Sequence, residues 1–194
     1  MDNVLNFLFY TKCVLCKKLA VGLCSACLHK LSLVNEHVCP VCFNPSVGGR
    51  PHISCFTTCV PYSLLCVYDY SDLLKKLLLL CTREFYALKV LTRYACLYAY
   101  ELGYVYKDHL VVYADVSDRA SELADVKLVA KEVANYFKLS VVPYRAGKTC
   151  LKGRNVLLVS VCIESREEFL SLVRSLYQSG SSVINCFVLV KKVI

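Results

Sequence analysis

The segment NVLLVSVCIESREEF, Asn155 to Phe169, decides the fold. Its first half is an unbroken apolar run of strand length, and its second half opens an amphipathic helix behind Ser165-x-x-Glu168, the spacing of a capping box. Gly180 stands just past the point where that helix runs out, at about Gln178, as a helix stop requires. Strand, loop and helix in this order form the place where nucleotide-binding α/β proteins grip phosphate, on a loop rich in Gly, Thr or Ser. This loop reads Cys-Ile-Glu-Ser-Arg-Glu-Glu, with no glycine and three carboxylates, Glu164, Glu167 and Glu168.

Outward from that segment the same alternation repeats. SLLCVYDY, HLVVYADV and SVVPY read as strands before it, and SVINCFVLV as the last strand after it. A largely helical stretch is expected from Ser71 to about Gly103, an amphipathic helix from Asp118 to Phe137 with Leu123, Leu128, Val133 and Phe137 on one side, and a third from Ser165 to Gln178. Strands separated by helices imply an α/β fold with a mainly parallel sheet, whose ligands bind at the carboxyl ends of the strands. Between SVVPY and the deciding segment lies a basic turn, RAGKTCLKGR, in which Arg145, Lys148, Lys152 and Arg154 are candidates for contact with nucleic-acid phosphates or ordinary solvated charges.

Residues 1–62 look different. They hold four of the five prolines and little periodicity, so the expected division is a cysteine-rich module over 1–62 and an α/β domain over 63–194. With 57% hydrophobic residues the chain has ample material for a core and is not disordered. No apolar run reaches the length of a membrane span, since LLKKLLLLC is broken by Lys75 and Lys76, and MDNVLNFLFYTK lacks the features of a signal peptide. The expected location is the cytoplasm. A net charge of +8 is spread thinly and speaks only weakly for polyanion binding.

Nine of the 14 cysteines fall between Cys13 and Cys66. Reduced cytosolic thiols in ordered pairs bind metal more often than they form disulfides. Four pairs stand in order: Cys13-x-x-Cys16, Cys24-x-x-Cys27, Cys39-Pro-x-Cys42 and Cys55-x-x-x-Cys59. A Cys-x-x-Cys turn presents two thiolates to one side of a tetrahedral ion and a second turn closes it, so eight thiolates make two closed zinc sites that fold the module and leave no open position for chemistry. Sequential and interleaved pairing of the knuckles are both open, as are disulfides and an iron–sulfur cluster. The three-residue spacing before Cys59 makes the second site less regular. His29, His37 and His52 are read as surface residues. The remaining single cysteines, such as Cys96 in Ala-Cys-Leu, are expected to be small buried hydrophobes.

Cysteine knuckles in LNFLFYTKCVLC, LCSACLHKL and CPVC, followed by KGRNVLLVSV and SLYQSGSSVINCFVLV, resemble the ComF family over nearly the whole chain. These competence-associated proteins join a zinc ribbon to a phosphoribosyltransferase-like domain. The resemblance implies a double zinc ribbon with one or two zinc ions, a phosphoribosyltransferase-like sheet, and partners in natural transformation: incoming single-stranded DNA and uptake proteins such as a helicase. Phe43, Phe56 and Tyr62 would then be stacking candidates or packing around the metals. The family's chemistry is missing where it is expected. Ser160 and Val161 replace two acidic residues, and Glu164, Ser165 and Arg166 replace the Thr-Thr-Gly grip on phosphoribosyl pyrophosphate. Ser121 to Asp125 replace an Arg-Gly-Phe-Asn-Gln stretch, and only Ala146 to Arg154 remain of a flexible segment. The expectation is a non-catalytic protein that does not use phosphoribosyl pyrophosphate or Mg²⁺. The alternatives are a divergent phosphoribosyltransferase relying on Glu164 or Asp115 with Mg²⁺, and a zinc-ribbon module for protein–protein contact.

Overall fold

The computed structural model describes residues 12–114 and 125–192. Five strands form one sheet: β1 (Ser63–Asp69), β2 (His109–Ala114), β3 (Ser140–Tyr144), β4 (Asn155–Cys162) and β5 (Val183–Lys191), in the order β1-β5-β4-β2-β3. Every neighbouring pair is parallel. The central strands are buried on both faces, which is why β4 and β5 read as continuous apolar runs and not as alternation. β3 lies at an edge, where Pro143, which has no amide to donate, is tolerated.

The helices are α1 (Ser25–Leu28), α2 (Asp72–Cys81), α3 (Phe85–Glu101), α4 (Val126–Phe137) and α5 (Arg166–Gln178). The stretch expected to be helical from Ser71 to Gly103 is two helices, separated where the Thr82 hydroxyl donates to the Leu79 carbonyl at 2.7 Å. Asp125 caps α4 by accepting the Leu128 amide, and the earlier part of the expected helix, Asp118 to Ala124, lies outside the described residues. Ser165 caps α5 as its spacing predicts, and Gly180 takes a φ of +96° beyond its end, where a Cβ would meet the Lys152 backbone at 3.0 Å.

Strand alternation sends one set of side chains to each face. Leu65, Val67, Leu157, Val159 and Phe187 meet α2, α3 and α4; Leu64, Cys66, Leu158, Ile184 and Val188 meet α5. The cysteine-rich module joins both layers. Cys13, Leu23, Cys27 and Leu31 continue the first, while Val34 and Val38 continue the second. Between them the chain crosses the β1 edge, where the Val34 amide donates to the Val67 carbonyl at 2.9 Å and Leu33 bridges Tyr68 antiparallel. The module thereby covers an edge that would otherwise offer unpaired backbone groups.

Order reverses between β2 and β4: from β2 the chain goes to β3 on one side, then returns to β4 on the other. The switch point, where such sheets take ligands, is therefore at the carboxyl ends of β2 and β4. The return path is the basic stretch 145–154. Because β3 and β4 run in the same direction, it is a crossover from the carboxyl to the amino end of the sheet, not a compact turn. Leu151 anchors it in the core, with amides of Leu151 and Gly153 donating to the carbonyls of Ser179 and Gly180 at 2.9 Å each.

Candidate metal centres and the strand-end loop

The first centre gathers Cys13, Cys16, Cys24 and Cys27, whose sulfurs all lie within 4.8 Å of one another. Tetrahedral zinc with Zn–S bonds of about 2.3 Å separates its sulfurs by about 3.8 Å, and the Sγ atoms of Cys16 and Cys24 stand 3.6 Å apart. The first two knuckles thus serve one site, in sequential pairing. Burial pushes the Cys13 thiol up, but the backbone amides of Cys16, Cys24 and Leu15 together outweigh it and bring it down to about 6. Burial and the neighbouring sulfurs push Cys27 the other way, to about 12, so four thiols cannot all ionise without a cation to share. No disulfide joins any of the described cysteines.

The second centre gathers Cys39, Cys42, His52 and Cys55 within the same 4.8 Å. Cys59, expected as the eighth ligand, is exposed and outside the group, and His52, expected at the surface, takes its place. His52 Nδ1 lies 3.3 Å from the Cys42 sulfur and 4.0 Å from that of Cys55. Its Nε2–H donates to the Pro45 carbonyl at 2.9 Å, which fixes the tautomer and leaves the Nδ1 lone pair for a metal. The physical reason is spacing: His52-Ile-Ser-Cys55 has the two-residue gap of a knuckle, and Cys55-x-x-x-Cys59 does not. That signal was available in the sequence. Burial raises the Cys39 thiol, and the amides of Cys42, Val41 and His52 more than offset it, bringing it to about 7. Both donor sets fit zinc: soft thiolates, one imidazole, closed four-coordinate geometry.

At the switch point the loop satisfies itself. Ser160 donates its hydroxyl to the Cys162 carbonyl at 2.8 Å, and Val161 is 2% exposed in the core. Ser165 Oγ accepts the Glu168 amide at 3.3 Å, taking an N–H that a bound phosphate would need. Burial and then the neighbouring Glu164 push the Cys162 thiol up to about 11. Glu164 and Arg166 are exposed, and no residue from Ile163 to Glu168 has the left-handed backbone that a glycine grip uses. Asp115 and Ser121 to Ala124 lie outside the described residues.

The four basic candidates are split by the crossover. Arg145 and Lys148 follow the carboxyl end of β3; Lys152 and Arg154 precede the amino end of β4. All four are exposed. Of the stacking candidates, Phe43 packs edge-on against Phe169 with centroids 6.0 Å apart, Tyr62 lies under the Arg50 guanidinium at 5.2 Å, and Phe56 is 70% exposed. Among the single cysteines, Cys81, Cys96 and Cys186 are buried as expected and Cys150 is exposed.

No family model matches the chain, and no curated protein does. Among solved structures it is similar to a hypoxanthine-guanine-xanthine phosphoribosyltransferase, at a TM-score of 0.40 and 17% identity over 55% of this chain, and it spans 63% of the length of that protein. A hypoxanthine-guanine phosphoribosyltransferase from Bacillus anthracis gives a TM-score of 0.37 and 18% identity over 55% of this chain and 71% of that one. Likeness this loose bears on neither ligand nor activity. Among the described residues no helix is long and apolar enough to cross a membrane.

Proposed function

We propose that this chain is a zinc-stapled, non-catalytic protein of the ComF type, an adaptor on single-stranded DNA whose phosphoribosyltransferase-like sheet has become a scaffold. The observation that carries the non-catalytic part is the strand-end loop. Its Ser165 hydroxyl is spent on the helix it caps, its acidic positions are filled by Ser160 and Val161, and Glu164 stands where an incoming pyrophosphate would meet like charge. The cysteine order and the strand order of the sequence support the family reading. The net charge of +8 and the exposed cations of the crossover support an anionic partner. Zinc holds the module against the sheet and has no open coordination position, so its role is structural.

Calorimetric titration of the zinc-loaded protein with phosphoribosyl pyrophosphate and Mg²⁺ tests this reading. No heat at millimolar ligand is expected. Saturable binding that Ser165→Glu weakens would revive the divergent phosphoribosyltransferase with Glu164 or Asp115 as its carboxylate.

A further inference from the structure

At the opposite end of the sheet from the strand-end loop lies a cleft of about 1050 Å³, where α3 and α4 end and β2 and β3 begin. Aromatic rings line it from three elements: Tyr100 from α3, Tyr136 and Phe137 from α4, and Tyr106 from the approach to β2. Two of these are ordinary core. Tyr106 is 4% exposed and meets Phe137 edge-on at 5.1 Å. The other two are not, since Tyr100 is 60% and Tyr136 37% exposed, and Val105 beside them is 55% exposed. Three cations, Lys107, Lys138 and Arg154, stand on the same walls against one carboxylate, Asp108.

His109, on the cleft wall, is held by hydrogen bonds behind it. His109 Nδ1–H donates to the Lys107 carbonyl at 2.7 Å, and Asn185 donates its amide to Nε2 at 2.9 Å while accepting from the Ser63 hydroxyl at 2.6 Å. Both ring nitrogens are thereby engaged within the protein. The carboxyl ends of α3 and α4 bring partial negative charge to this end, which the three cations outnumber.

We propose that this cleft binds a nucleobase together with its phosphate, the base stacking on Tyr100 and Tyr136 and the phosphate held by Lys107, Lys138 and Arg154. Exposed rings interleaved with cations are the arrangement that holds bases without reading their sequence. Free nucleotide and single strand share this chemistry. The inference deepens the proposed single-strand role and rests on that role only for the strand.

The test uses the zinc-loaded full chain, with a fluorescein-labelled oligothymidylate followed by anisotropy at about 50 mM salt and thymidine monophosphate followed by calorimetry. Combined Tyr100→Ala and Tyr136→Ala is expected to weaken oligonucleotide binding about tenfold or more, with zinc content and circular dichroism unchanged. Lys107→Glu with Arg154→Glu weakens it most at low salt and flattens its salt dependence, whereas Lys76→Glu, exposed on α2 and away from the cleft, changes it less than about twofold. Nucleotide binding that depends on the two tyrosines, without strand binding, upholds the cleft and removes the strand from the proposed function. Strand binding indifferent to both tyrosines overturns the cleft and leaves the proposed function standing. Binding of neither probe overturns both.

Discussion

The two candidate metal centres are built from similar knuckles and end in different donor sets. The first uses four cysteines, two of them, Cys13 and Cys27, inside the core layer that α2, α3 and α4 share with the sheet. The second has three cysteines and a histidine, and none of its ligands belongs to either apolar cluster. The first is tied to the fold by burial: a Cβ on nearby Gly22 would meet the Ala87 amide nitrogen at 2.6 Å. The second is tied by local hydrogen bonds around His52 and by Gly49, whose φ of +65° brings it so close that a Cβ would sit 2.1 Å from the Leu64 carbonyl oxygen. Metal at the first site is therefore expected to support the whole molecule, and metal at the second mainly its own loops.

Cys13→Ser gives the largest expected effect. It removes a buried thiolate, empties the first site, and is expected to cost about 3 kcal/mol or more, lowering the thermal midpoint of the entire chain by roughly 6–12 °C. A single unfolding transition that keeps its midpoint after this substitution would break the comparison.

His52→Ala comes next. Zinc measured by a chromogenic chelator is expected to fall from two ions per chain to one, with loss of the second site only; the midpoint shifts by less than half the Cys13→Ser value. His52→Cys is expected to restore binding, because a thiolate at the same position keeps the knuckle spacing. Retention of both ions by His52→Ala would return Cys59 to the ligand set.

Acid is expected to act on both centres. The folded Cys13 and Cys39 thiols lie at about 6 and about 7, below the ordinary value of 9.0. A depressed thiol stabilises the folded state above its unfolded value and loses that advantage as pH falls through its folded one. Protons therefore compete with zinc for the thiolates of both sites, and zinc is expected to leave as pH falls through these folded values in a stepwise titration read by the chelator. Zinc retained well below both values would count against this reading.

The smallest effect is expected from Cys59→Ala. An exposed residue outside the cluster should change zinc content not at all and stability by less than about 0.5 kcal/mol, measured by the same chelator assay and by thermal melting.

Much of this fold was readable from period and punctuation. All five strands stand where the apolar runs place them, and β4 and β5, buried on both faces, are apolar nearly throughout for that reason. Ser165 and Gly180 bound α5 through local chemistry that needs no tertiary partner. The break between α2 and α3 was not readable, since Leu and Tyr continue at helical spacing on either side of it. Six of the eight candidate metal ligands follow from two-residue cysteine spacing alone. Cys55 groups with His52, three residues earlier, and not with Cys59, four residues further on, because only the first gap has the knuckle spacing.

The sequence by itself determined the elements, the capped strand-end loop without a glycine, and the knuckles of the first centre, since each depends on neighbours within a few residues. Only the tertiary structure decided how they combine. It wrapped the cysteine module over the β1 edge, drew the basic stretch into a crossover that separates Arg145 and Lys148 from Lys152 and Arg154, and set rings from α3, α4 and the β2 approach around one cleft. Those outcomes follow from parallel strand order and from burial of both sheet faces, which are long-range constraints that no local pattern of residues encodes.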